Sequence, residues 1–166
     1  MNKCRILGLD PGLRTTGWGI IETENNRIQY VCHGLIKPDV NLDLAQRLKH
    51  LLAEIKQLVE LYSPDEAAVE ETFINVNPSS ALKLGQARGV VLVAPASCGL
   101  HVAEYTANQV KKSVVGAGHA DKNQVMAMIQ ILLPGSGPMT SDAADALAVA
   151  ICHAHFRTTN KRWEVA

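Results

Sequence analysis

Four acidic residues stand where acids are unusual: Asp10 in RILGLDPG, Glu70 in EAAVEE, and Asp142 with Asp145 in SDAADALAVAICHAH. A spacing of three puts Asp142 and Asp145 on one helical face about a turn apart, beside the apolar Leu147, Val149 and Ile151. Asp142 alone is accounted for as an acid in a first helical turn, where the macrodipole favours negative charge. Asp145 is not, because Ala143, Ala144 and Ala146 leave no cation on the helix to pair it. Asp10 closes the apolar run Ile6–Leu9, where a carboxylate is costly unless hydrogen-bonded, paired or bound to a cation. If the four converge, their repulsion is large and no Lys or Arg nearby in sequence relieves it. Hard divalent cations such as magnesium take such oxygen ligands readily. Two ions roughly 3.5–4 Å apart can activate a water and stabilise the departing oxygen of an in-line phosphoryl displacement. The expected reaction class is phosphodiester hydrolysis.

Convergence depends on the elements that carry these acids. Ile6–Leu9 reads as a strand stopped by Pro11 and Gly12, Thr15–Glu22 as a second strand, and Ile28–Ile36 as a third after the polar ETENNR turn. Such short connections predict an antiparallel meander. Leu44, Leu48, Leu51, Leu52, Ile55, Leu58, Val59 and Tyr62 then recur at helical spacing, giving a long amphipathic helix over 42–62, capped by Asn41 and ended by Ser63 and Pro64. Glu66–Glu70 follows as a strand, and a strand reached through a helix usually runs parallel to an earlier one. Beside the first strand, it would bring Glu70 to the same sheet edge as Asp10. Strand alternation turns Glu71 the other way, as solvated charge.

Ser79 or Ser80 is placed to cap a helix to about Ala94, whose small residues Ala81, Gly85, Ala87 and Gly89 permit close packing. Leu100–Tyr105 is a fifth strand, with Thr106 as a cap for ANQVKKSVV; GAGHA is a break. Asp121 begins a helix to Leu133, and Thr140 or Ser141 caps a last one to about Phe156. The fold class is α/β: a five-stranded mixed sheet, an antiparallel meander plus two parallel strands, flanked by helices. One domain over 1–157 and a polar, flexible tail over 158–166 are expected.

The 166 residues balance sixteen Lys plus Arg against sixteen Asp plus Glu, so only charge placement speaks to a polyanionic partner. Cys4, Cys32, Cys98 and Cys152 are scattered and follow no signal peptide, as expected of reduced thiols in a cytoplasmic protein. No apolar run approaches a membrane span, so no membrane association is expected.

DPG with TGWG behind it, VEETF, SALKLGQARGVV, YTANQVKKSVVG followed by DK, and DAADALA together resemble the RuvC family of bacterial Holliday junction resolvases. The likeness runs in order from Asp10 to His153. It implies a ribonuclease-H-like fold, a homodimer, and paired symmetric cuts in four-way DNA junctions that leave 5′-phosphate ends. Two magnesium ions per site are implied, with manganese as a substitute, together with work beside a branch-migration complex of the RuvA and RuvB type. It places the catalytic, metal-binding carboxylates at Asp10, Glu70, Asp142 and Asp145.

The same resemblance assigns DNA contact to Lys111 and Lys122, which with Lys112 bracket GAGHA; an ordinary solvated surface is the alternative for such lysines. Lys83 and Arg88 suit phosphate positioning or dimer packing equally. Phe73 matches an aromatic set against junction bases, and its place in a polar loop favours stacking over a core role. Cys152, His153 and His155 read as a helix end with capping histidines. Two rivals are a non-catalytic junction-binding module of the same fold and an actin-like phosphotransferase; the second needs a further domain that this length hardly permits.

Overall fold

The computed structural model describes residues 3–71 and 77–164. Its elements are β1 (Lys3–Asp10), β2 (Thr16–Glu24), β3 (Arg27–Ile36), α1 (Leu44–Tyr62), β4 (Glu66–Glu71), α2 (Pro78–Ser97), β5 (His101–Thr106), α3 (Ala107–Val115), α4 (Lys122–Leu132) and α5 (Ser141–Glu164). The sheet order is β3-β2-β1-β4-β5. β1, β2 and β3 form the expected meander, while β4 lies parallel to β1 and β5 parallel to β4. Asn25 turns the β2–β3 hairpin with a left-handed backbone that asparagine tolerates.

Strand alternation divides the core in two. Leu7, Leu9, Ile20, Ala67 and Val69 pack on one face with Leu51 and Ile55 of α1 and Ala87 and Val91 of α2. Ile6, Ile21, Ala68 and Tyr105 pack on the other with α3, α4 and α5. Every residue of α5 from Ala146 to Ala154 is buried, because the helix lies between the sheet and α3 with α4. A helix apolar on all sides is the expected solution for an element covered on both faces. Among the described residues, no helix is long and apolar enough to cross a membrane.

Several element ends differ from the sequence reading. Asp43, not Asn41, caps α1, accepting from Gln46 N at 2.8 Å. Asn77, not Ser79 or Ser80, caps α2, and those two serines supply the amides it accepts from. Asn and Asp are as good caps as Ser, so neighbouring candidates are separable only by geometry. Thr106 and Asp121 cap α3 and α4 within capping boxes. Thr140 accepts from Ala143 N at the start of α5. That helix continues to Glu164 instead of ending near Phe156, which puts His153 and His155 in its interior and not at a cap.

Candidate active site

Asp10 and Glu70 stand at the C-terminal ends of neighbouring parallel strands, since Leu9 pairs with Val69 one residue earlier. Alternation turns both toward α5: Gly8 meets that helix while Leu7 and Leu9 face α1. Glu71 is turned to the opposite face, as expected.

The strands beneath α5 are cut back to admit it. A Cβ on Gly8 would run into the carbonyl oxygen of Ala146, and one on Gly17 into that of Asp142. One on Gly19 would strike the Leu147 side chain. Gly17 is also the cross-strand partner of Asp10, so the first turn of α5, with Asp142 and Asp145, rests on the strand pair that ends in Asp10. Glycine is the residue that lets a helix backbone come this close to a sheet. The loop after Asp10 is fixed as well, because buried Thr16 donates through Oγ1 to the Gly12 carbonyl at 2.7 Å and accepts from Gly12 N at 3.2 Å. These glycines went unread in the sequence, although the alternation of Gly17 and Gly19 in TGWG was the visible sign of them.

The electrostatics show that the four acids share one field. Burial and the charges of Glu70, Asp145 and Asp142 push the Asp10 carboxyl up to about 8, against the opposing pull of Lys122. Burial and the charge of Asp145 raise Glu70, although Lys111 and Lys122 pull it down. Burial also raises Asp145, with Asp142 adding to the effect and Lys122 and Lys111 opposing it. Among the described residues, no hydrogen bond or ion pair holds any of these four side chains.

No three His, Cys, Asp or Glu side chains among the described residues are gathered tightly enough to hold a metal ion as they stand. The donor set nevertheless fits one. It consists of hard carboxylate oxygens, half-buried and mutually repelling, and no protein cation is close enough to bond them. A divalent cation is the partner that would remove this repulsion.

Lys111 on α3 and Lys122 at the start of α4 both act on the carboxylates, which puts two expected DNA contacts beside the site. Lys112 does not join them; it lines a separate cavity of about 350 Å3 with Gln109, Ser113, His155 and Phe156. Arg88 is tied to Glu104 of β5. Lys83 opens on a groove with Arg14 and Arg47. Phe73 lies outside the described residues.

The histidines expected to cap α5 do something else. His153 is buried, with Nδ1 bonded to the Tyr105 hydroxyl at 2.8 Å and Nε2 to Glu66 at 2.7 Å, while Arg157 Nε donates to the other Glu66 oxygen at 2.7 Å. His155 Nδ1 meets Ser113 Oγ at 2.9 Å. Both histidines bind α5 to its neighbours. No short motif announces such long-range pairing.

With this geometry in place, comparison with known proteins is decisive. The family profile of the crossover junction endodeoxyribonuclease RuvC matches residues 6–153. The chain belongs to the RuvC family. A RuvC of Paramagnetospirillum magneticum is 61% identical over 158 residues, covering 95% of each chain. The Thermus thermophilus RuvC structure superposes with a TM-score of 0.84 at 30% identity, covering 94% of this chain and 96% of that one. T. thermophilus RuvC in complex with a Holliday junction substrate superposes with a TM-score of 0.88, also at 30% identity, over 95% and 96% of the two chains. The ribonuclease-H-like fold expected from the motifs is the fold of these RuvC structures.

Proposed function

We propose that this chain, a RuvC-family crossover junction endodeoxyribonuclease, resolves four-way DNA junctions by metal-assisted hydrolysis at Asp10, Glu70, Asp142 and Asp145. One observation carries the reading: four unpaired carboxylates from two strands and a helix raise or face one another at a single sheet edge. Magnesium, two ions per site with manganese as a substitute, supplies water activation and leaving-oxygen stabilisation when bound. The four carboxylates would hold it. Lys111 and Lys122 draw the scissile phosphate toward the acids and offset their charge, which a chain of zero net charge needs at a polyanion. Pro11, Gly12 and the Thr16 hydroxyl keep Asp10 at its strand end while substrate binds.

A homodimer fits a two-fold junction, because two equivalent sites then meet two symmetric strands. Its support within the chain is the outer face of α2, where Leu82 and Val93 are 66% and 59% exposed and Gly85 and Gly89 have nothing within 4 Å of a built Cβ. A branch-migration complex of RuvA and RuvB type is the partner that family membership suggests. The cytoplasm is the expected compartment, in keeping with four cysteines scattered along the chain.

The test is a synthetic four-way junction incubated with and without magnesium. Paired, symmetric nicks that a ligase can reseal, showing 5′-phosphates, are expected only with the metal. Tight junction binding with no nicking in magnesium or manganese would instead identify a non-catalytic junction-binding module.

A further inference from the structure

The acid cluster and its two lysines leave one strongly charged feature unused. Arg14 after β1, Arg47 on α1 and Lys83 on α2 line one groove of about 560 Å3, with Leu13, Val40, Ser80 and Leu84 completing its walls. No carboxylate lines it among the described residues. Three cations facing one space without an acid repel each other, and such an arrangement is normally relieved by an anion.

The three cations are differently held. Arg47 is half-buried; its Nη2 donates to the Leu13 carbonyl at 3.0 Å, and its Nε is shut from solvent with no acceptor among the described residues. It therefore ties α1 to the loop that begins at Asp10 and contributes a fixed charge to the floor of the groove. Arg14 and Lys83 are exposed and free to move onto a ligand. Lys83 shares its helical face with Leu84 and Ala87, away from Leu82, Gly85 and Gly89, so it can act without disturbing the outer face of α2.

We infer that this groove is a second DNA phosphate subsite, in which Arg14 and Lys83 contact a backbone phosphate a few nucleotides from the cut while Arg47 supplies fixed charge. The inference rests on the nuclease reading above. Arg14 follows Asp10 by four residues, so at most about 14 Å of chain separates them, the span of a few nucleotides along one strand. Among the described residues no aromatic side chain lines the groove to stack a base, which favours a backbone phosphate over a free nucleotide. Contacts of this kind carry no base sequence; they set the register of the strand at the carboxylates.

The test is junction affinity across a salt series without divalent metal, for wild type, Arg14→Ala, Lys83→Ala and Lys56→Ala, the last an exposed α1 lysine outside the groove. Arg14→Ala and Lys83→Ala should each bind roughly tenfold more weakly, with the log–log salt slope reduced by about 0.7–0.9, and should melt as wild type does. Lys56→Ala should match wild type. A scan of single neutral methylphosphonate linkages should find a position that weakens wild type but not Arg14→Ala. If wild type binds and cuts junctions while both groove variants keep its affinity and slope, the subsite is refuted and the nuclease reading stands. Equal loss in the Lys56→Ala control, or no linkage at which wild type and Arg14→Ala converge, also refutes it. If wild type neither binds nor cuts junctions, the nuclease reading falls first.

Discussion

The two ends of the β1–β4 strand pair treat acids in opposite ways. At the end where the strands begin, Glu22 is bonded by Lys3 at 2.8 Å and Arg5 at 3.0 Å, and Asp65 accepts from Arg5 N at 2.7 Å. Glu66 there lies between His153 and Arg157, each at 2.7 Å. Hydrogen bonds from Lys3 and Arg5 hold Glu22 below the usual carboxylate range. Burial pushes Glu66 up, but its bonds to Arg157 and His153 outweigh this and hold it low. At the other end, Asp10, Glu70 and Asp145 are raised and have no such partners. This sheet can satisfy a half-buried carboxylate from within, and at one edge it does not. The unpaired edge costs stability, which is how a site kept for a ligand differs from one kept for the fold.

The largest expected effect separates the two ends by activity. Asp10→Asn should lower the junction nicking rate by about 1,000-fold or more, because it removes an oxygen proposed to hold the metal, while affinity stays within about threefold because the lysines remain. Glu66→Gln, at the paired end of the neighbouring strand, should leave nicking near wild type. Single-turnover cleavage beside binding isotherms checks both. Comparable cleavage losses in the two variants would erase the distinction.

Gly17→Ala probes the support of the unpaired edge. Its methyl would displace the first turn of α5 from β2, shifting Asp142 and Asp145 without changing any acid. Overpacking of this kind costs about 1–3 kcal/mol, and a displacement of about 1 Å can cost 100-fold in rate. Nicking should therefore fall by roughly 100-fold in protein that remains folded by circular dichroism. Retained activity would mean that the close approach of α5 does not set the carboxylates.

How much of this was legible follows from which forces are local. The meander, the long α1 and the parallel entry of β4 could be read because periodicity and connection length determine them, and they brought Glu70 beside Asp10. The Asp142/Asp145 pair could be read from one helix turn. The Glu66–His153–Arg157 cluster could not, since its members are 87 and 91 residues apart and each looks like ordinary surface charge or a helix cap. Gly85 and Gly89 were read as packing residues on α2, yet they face open space, because composition does not say which face of a helix its own chain will cover. Arg14 and Arg47 went unnoticed because no single stretch contains the groove they line.

Glu66→Gln should show its effect in stability. It removes the charge that Arg157 and buried His153 face, for a loss of about 2 kcal/mol after allowing for partial exposure, or roughly 4–8 °C in Tm. The folded Glu66 carboxyl lies below its usual 4.5, so its contribution is present above that value and is lost as pH falls through the folded pKa. Thermal melts from pH 3 to 7 should therefore show the difference between variant and wild type shrinking toward the acid end. A pH-independent difference would mean that shape, not charge, is what Glu66 supplies.

The last expected effect has the opposite sign. Asp10 rises from an unfolded value of 3.8 to about 8 in the fold, so between these limits the folded state binds more protons than the unfolded chain. Metal-free stability is therefore lost as pH rises through this window, with the full penalty reached above about 8. Asparagine has no charge to penalise. In EDTA, Asp10→Asn should melt above wild type at pH 8, with the gap closing toward pH 4. Magnesium should raise the wild-type Tm and leave the variant nearly unmoved, reversing the order, because an ion that binds the folded state stabilises it in proportion to its affinity. A variant less stable than wild type in EDTA at pH 8 would mean that Asp10 is held by the protein after all, and the two ends of the sheet would no longer differ.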